Sequence, residues 1–189
     1  MLVIYAHPNK NGHCGQILQN VIQGLKEKKQ TYTLLDLYEM KYDPIMKNSE
    51  HYTSGHYDIS EKNKEIQKLI KKTKKFIIIY PTWWNNVPAI LKGFFDRVLV
   101  NKFAFEYKHG IPFGLLKGRA LVITSTGGPK FTYSLIQRKR SLKVVTIDTL
   151  FFCGVKSKGF VIPRALKLND KNKKKIEKTV KNGLKYLKI

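Results

Sequence analysis

Phe76-Ile77-Ile78-Ile79-Tyr80-Pro81-Thr82-Trp83-Trp84-Asn85-Asn86-Val87-Pro88 is the stretch that decides the fold. Its first five residues form a continuous apolar, β-branched run that is too short for a buried helix and stops at a proline, so it reads as a central strand buried on both faces. Pro88 suits the start of a helix, because the first turn needs no amide there. Ile90, Leu91, Phe94, Phe95, Val98 and Leu99 then follow at helical spacing.

The same unit recurs on both sides. Residues 2 to 6 form an apolar run that stops at His7-Pro8, and Ile17, Leu18, Val21, Ile22 and Leu25 follow as a helix face. A second strand is expected at Thr31 to Leu37, a helix opening near Ser60 with Ile66, Leu69 and Ile70, a fourth strand at Ala120 to Thr124 and a fifth at Gly159 to Ile162. Residues 133 to 152 read as helical, and Asn169 to Leu187 as a closing Lys-rich helix. Between Tyr38 and Ser60 lies a polar, irregular stretch with Asp43-Pro44, His51, Gly55 and His56, long enough to suggest a functional connection. This alternation predicts a doubly wound parallel sheet with helices on both faces, as one domain over residues 1–189. Ligands of such sheets bind beyond the carboxyl ends of the strands. That rule brings together His7 to Cys14, Pro81 to Val87 and Ser125 to Tyr133.

Composition narrows the classes. The 189 residues carry 36 Lys and Arg against 13 Asp and Glu, a formal charge of +23. That excess points first to polyanions, but 31 of the cations are Lys and only 5 are Arg, and they fall mainly on expected helix faces. A site that reads phosphates or bases leans on the bidentate Arg fork, so no specific nucleic-acid partner is expected. Two cysteines make neither a disulfide framework nor a metal pattern. No apolar run spans a bilayer and Met1 leads straight into a strand, so a cytoplasmic protein is expected. His51 and His56, without a carboxylate cluster, do not predict a metal site.

Each of the three loops has its own chemistry. His7-Pro8-Asn9-Lys10-Asn11-Gly12-His13-Cys14 enters a helix whose first amides can receive a phosphate. It serves equally well as a plain turn, with Gly12 turning the chain and His7 capping the helix. It is neither the dinucleotide Gly-x-Gly-x-x-Gly nor a P-loop, which disfavours a nicotinamide Rossmann site and an NTPase. Trp83 and Trp84 stand side by side at the end of the central strand, where one can anchor in the core while the other borders a planar ligand. Ser125-Thr126-Gly127-Gly128-Pro129 offers two hydroxyls and glycine amides that can approach a flat heterocycle.

Taken in order, several motifs resemble the flavodoxin-like NAD(P)H:quinone oxidoreductases. They are His7-Pro8-Asn9, Asp36-Leu37-Tyr38 with Asp43-Pro44, Tyr80 to Trp84, Val87 to Val98, Phe103-Ala104-Phe105, Leu116-Lys117-Gly118, Thr126 to Pro129 and Phe152-Cys153-Gly154. Order and spacing agree from residue 2 to about 163, and Pro88 to Val98 is the most specific run. The resemblance implies a five-stranded sheet in the order 2-1-3-4-5 and a flavin, FAD or alternatively FMN, with NAD(P)H as co-substrate and a quinone or other small acceptor. By position, His7, Gly12, His13 and Cys14 would lie by the flavin phosphates. Pro81, Thr82, Trp83, Trp84 and Asn85 would line the ring, and Ser125, Thr126, Gly127 and Gly128 its pyrimidine side. Tyr133 matches a tyrosine near the flavin during hydride transfer. Lys139 stands where mammalian relatives have a histidine, so that position holds a permanent cation and no proton shuttle near neutrality. Phe105 and Tyr107 match aromatics that a partner subunit lays over the substrate, which implies a homodimer. Alternatives are a flavodoxin-type electron carrier and a regulatory flavoprotein at a membrane or transporter.

Overall fold

In the computed structural model of the chain, residues 1–51 and 58–189 are described. Strands β1 (Leu2–Tyr5), β2 (Thr33–Asp36), β3 (Lys75–Pro81), β6 (Gly118–Ser125) and β7 (Val155–Ile162) form an all-parallel sheet in the order β2-β1-β3-β6-β7. This is the expected doubly wound order. The intervening β4 (Phe105–Lys108) and β5 (Ile111–Gly114) form a separate antiparallel hairpin. Side-chain alternation along the strands divides the interior in two. Val3, Tyr5, Ile77, Ile79, Leu121 and Ile123 pack with α1 (His13–Glu27) and α5 (Asp170–Tyr186). Leu2, Ile4, Phe76, Ile78, Tyr80, Ala120 and Val122 pack on the other face with α2 (Glu61–Lys72), α3 (Ala89–Val98) and the helical segment that ends at Phe151.

The helices begin where the local chemistry allows. The Ser60 hydroxyl accepts the Asn63 amide at 3.4 Å and the Asn169 side chain accepts the Asn172 amide at 2.9 Å, each taking up a donor that the first turn leaves free. Pro88 immediately precedes α3. Among the described residues no helix is long and apolar enough to cross a membrane.

Three expectations need correction. The hairpin was not foreseen: its turn at His109-Gly110 has positive φ at both positions, and its second strand is fully exposed, so no apolar alternation announces it. The last strand begins four residues early, at Val155 and not Gly159, because β6 supplies a ladder from Gly118 onward. Residues 133–152 do not form one helix. A π-helical turn at Thr132–Ile136 ends in Arg138 and Lys139, both left-handed, before α4 (Arg140–Lys143) continues into a second π-helical segment, Val144–Phe151. Helical periodicity does not register a two-residue interruption of this kind.

The long connection after β2 is held by Arg97 of α3. Its buried guanidinium makes two hydrogen bonds to Glu50, at 2.9 and 2.7 Å, donates to the Asp43 carbonyl and pairs with the Asp43 carboxylate at 3.3 Å. Gly93, one turn earlier, lets Pro44 rest on the helix backbone; a Cβ there would collide with the Pro44 carbonyl. Burial alone would raise the Glu50 pKa, but the Arg97 hydrogen bonds, the Lys47 amide and the nearby positive charge outweigh it and hold the carboxyl below its ordinary value. An acid depressed in this way stabilises the fold above the ordinary carboxylate pKa, and the contribution is lost as the pH falls through the folded value. Removing one partner of a buried pair leaves an uncompensated charge, so Arg97→Ala is expected to cost about 3 kcal/mol in urea unfolding at neutral pH. Glu50→Gln should flatten the loss of stability that urea unfolding is expected to show below about pH 5.

Candidate functional site

All five parallel strands point their carboxyl ends to one edge, and three loops meet there. The Thr82 amide donates to the Ser125 carbonyl at 2.7 Å, one residue beyond the last β3–β6 pair, Pro81 with Ser125, so the second and third loops leave the sheet together. Cys14 and Ser125 are 3.2 Å apart, Sγ to Oγ, which ties the first turn of α1 to the third loop. The loop after β7 joins them, with the Ala165 amide donating to the Thr126 carbonyl and the Arg164 amide to the Gly128 carbonyl, both at 2.9 Å.

The first loop folds back over α1, and Gly15 makes this approach possible, since a Cβ there would overlap the Lys10 carbonyl. The Lys10 ammonium pairs with the buried Asp36 at 2.8 Å and with Glu39 at 2.7 Å, anchoring the loop to the end of β2. Gly12 is open, with nothing within 4 Å of a Cβ built on it, and no side chain caps the helix it precedes. The two histidines are less available than their positions imply. His7 Nδ1 accepts the Asn9 amide at 3.0 Å, its ring stands 5.8 Å from that of Trp83, and burial lowers its pKa. The side chain of His13 is buried against α5, its Nε2 3.0 Å from the side-chain Nδ2 of Asn172, with its pKa also lowered by burial. Both rings are therefore neutral near pH 7, and the cationic contribution of this loop comes from Lys10.

In the second loop Trp84 and Asn85 both adopt left-handed backbone, which turns the chain sharply and leaves Trp84 wholly exposed while Trp83 is partly covered. Pro81 is buried at the end of β3. Asn85 Nδ2 donates to the Gln137 carbonyl at 3.3 Å, yet Asn85 Oδ1 and Gln137 Oε1 are both buried without a partner. Two orphaned acceptors, on residues joined by that one hydrogen bond, are costly in a folded protein and mark where a donor is wanted. In the third loop Ser125 and Thr126 are buried, whereas Gly127 is exposed with Leu166 beside it.

Other expected residues lie elsewhere. Tyr133 is fully buried with its hydroxyl 2.9 Å from Ser141 Oγ, turned into the protein. Lys139 is exposed on the left-handed turn. Phe105 and Tyr107 sit on the hairpin in edge contact with each other at 5.9 Å, and Phe105 packs on Phe152 at 4.9 Å, beside a groove of about 540 Å³. His56 lies outside the described residues, and among those described no cluster of three metal-binding side chains occurs. Sequence reasoning missed Gln137, Ser141, Leu166 and Asn172. Nothing in their spacing marks them, because each reaches the site from a neighbouring element.

The strand order and the loops at the carboxyl edge define a doubly wound α/β protein with one ligand edge. A model of the flavodoxin-like fold family matches residues 1–187, and the chain belongs to that family. It is 32% identical over 162 residues to a Haemophilus influenzae protein named an uncharacterized NAD(P)H oxidoreductase, covering 84% of this chain and 80% of that one. It is 30% identical over 178 residues to human ribosyldihydronicotinamide dehydrogenase [quinone], covering 82% and 77%. The solved NAD(P)H:quinone oxidoreductase of Methanothermobacter marburgensis superposes with a TM-score of 0.83 at 25% identity, covering 96% of this chain and 94% of that one. These relatives are of the kind that the sequence motifs resemble.

Burial pushes both thiols, Cys14 and Cys153, up to about 12, so neither forms a thiolate at working pH. A thiol reagent at pH 8 should therefore find almost no reactive cysteine in the native chain and both after denaturation. Rapid native labelling of Cys14 would show that the joint between the first and third loops opens.

Proposed function

We propose that the chain is a flavin-dependent NAD(P)H:quinone oxidoreductase that works through one site at the carboxyl edge of the sheet. One observation carries the reading: the loops after β3 and β6 are joined at Thr82 and Ser125 and together carry a wholly exposed tryptophan and side-chain-free glycines, above the buried orphan oxygens of Asn85 and Gln137. The residues fit such a cofactor. Asn85 Oδ1 and Gln137 Oε1 await the ring's N–H donor, Gly127 and Gly128 let its edge approach backbone, and the open turn at Gly12 leaves the first amides of α1 for a phosphate.

A flavin held there would supply hydride exchange, from NAD(P)H to a quinone, with one proton from water completing the hydroquinone. The chain's own part is to bind and orient. Pro81, Thr82, Trp83, Trp84 and Asn85 hold the ring plane. Ser125 and Thr126, both buried, stiffen the third loop, Ser125 through Cys14 Sγ and the Thr82 amide and Thr126 through backbone bonds to Ile162 and Ala165. Leu166, itself exposed, stands beside Gly127 as an apolar neighbour at the edge of the third loop. Lys139, exposed on its left-handed turn, adds to the positive charge of the chain. His7, His13 and Cys14 act by shape and backbone, since the rings are neutral and the thiol is protonated. In the homodimer of this reading, a partner's hairpin brings its own copies of Phe105 and Tyr107 over the acceptor. The flavin is FAD, with FMN the alternative, and the enzyme is cytoplasmic.

The purified protein should be yellow, bleach when NADH or NADPH is added under nitrogen and recover its colour with a quinone; chromatography of the flavin released on denaturation separates FAD from FMN. A preparation that binds neither flavin sinks the reading. With a net charge of +23 drawing in dinucleotide phosphates, the apparent KM for NAD(P)H should rise with added salt, while kcat changes little.

A further inference from the structure

The first loop is tied to the rest of the sheet at one residue. Within the loop, His7 Nδ1 accepts the Asn9 amide at 3.0 Å and Asn9 Oδ1 accepts the Asn11 amide at 2.7 Å. The Tyr5 hydroxyl of β1 donates to the Asn9 carbonyl at 3.2 Å, and the Gly12 carbonyl accepts the Gln16 amide of α1 at 2.9 Å. All of these bonds stay within the β1–α1 segment. Among the described residues, the hydrogen bonds and ion pairs of residues 7–12 reach another part of the chain through Lys10 alone. Its ammonium stands 2.8 Å from Asp36 Oδ2, at the end of β2, and 2.7 Å from Glu39 Oε2 just beyond it.

The two carboxylates are not equivalent. The Asp36 side chain is 5% exposed and that of Glu39 70%. Asp36 Oδ1 accepts the Glu39 amide at 3.2 Å, whereas Asp36 Oδ2 has the Lys10 ammonium and no other bonding partner among the described residues. Taking that ammonium away would leave a buried carboxylate uncompensated, which is costly, while the exposed pair with Glu39 contributes little. Lys10 is therefore held by Asp36, and its single charge is already opposed by two. An anion that came to Lys10 would also meet both carboxylates. A phosphate at this loop is left with the amides at the start of α1, whose donors have no acceptor within the helix. Those amides move with Lys10, because its carbonyl packs against Gly15.

We propose that Lys10 is a positioning residue and not a phosphate ligand: bonded to Asp36, it straps the first loop to the end of β2 and so sets the first amides of α1 in place for the phosphate of a bound flavin. The proposal rests on the flavin reading for the identity of that anion. The strap itself does not depend on it.

The sign of one effect separates a strap from a ligand. If Lys10 were a phosphate ligand, Asp36→Asn would release it and tighten the binding of whichever of FAD and FMN the protein takes. With Lys10 as a strap, Asp36→Asn and Lys10→Met should each weaken that binding about tenfold, as for a loop that holds its binding geometry about a tenth of the time, and the double variant no further. Riboflavin, which has no phosphate, should bind wild type and variants alike, and Glu39→Gln should stay close to wild type. Tighter binding in Asp36→Asn, an equal loss of riboflavin, or a loss in Glu39→Gln as large as that in Asp36→Asn overturns the proposal. In the apoprotein, hydrogen exchange followed by mass spectrometry should be faster across residues 7–15 in Lys10→Met and Asp36→Asn, with β3 and α5 unchanged. Unaltered exchange in the loop, or faster exchange throughout the chain, also overturns it. Should Lys10→Met fold poorly with Asp36 left bare, the double variant, which removes both charges, takes its place in both arms. A wild-type protein that binds no flavin sinks the functional reading, and the exchange arm then decides the strap by itself.

Discussion

Strand β3 is paired on both sides, to β1 and to β6, and buried on both faces, so it can present chemistry only at its end. The rest of the molecule depends on that constraint. Because Tyr80 lies opposite Thr124 and Pro81 opposite Ser125, the two strands finish in step, and the Thr82 amide extends their ladder by one more bond. A one-residue slip would turn the apolar side chains of β3 to the wrong faces and separate the two loops. The packing of the sheet and the geometry of the candidate site thus rest on the same register.

Charge and chemistry are separated in space. Between Tyr107 and Asn169 there are 12 Lys and Arg and one acid, Asp148, yet the groups that converge at the strand ends are largely neutral hydroxyls, amides, indoles and imidazoles. Burial accounts for this division, since a desolvated histidine or cysteine holds to its neutral form. Lysines remain at the surface, where they shape a long-range field without entering the site. Arg97 is the exception among the cations: it is buried because Glu50 and Asp43 come to it, and it holds the long connection after β2.

Much of the fold was legible because its signals are local. Phe76 to Tyr80 reads as a doubly buried strand from five consecutive side chains, and Pro88 announces α3 from its missing amide. The hairpin at Phe105 to Gly114 was not legible, since its strands are too exposed to show a buried face. Nor was the break at Arg138-Lys139, where two residues with ordinary helical propensity adopt left-handed backbone between segments that are each helical. Of the site, the three loops could be found by counting strand ends. The inward turn of His13 toward Asn172 could not, because the two residues are 159 apart and meet only when α5 packs on α1.

The sequence by itself determined the alternation of strands and helices, the two apolar faces and the three loops that gather at one edge, because periodicity and proline or glycine punctuation are read within a few residues. Only the tertiary structure decided what those loops do with their side chains: Cys14 against Ser125, the orphan oxygens of Asn85 and Gln137, and Tyr133 bonded inward to Ser141. The physical reason is that a hydroxyl or amide has no preferred partner along the chain. Its partner is whatever polar group the packing of distant elements places within about 3 Å, and in a buried place that bond must be made.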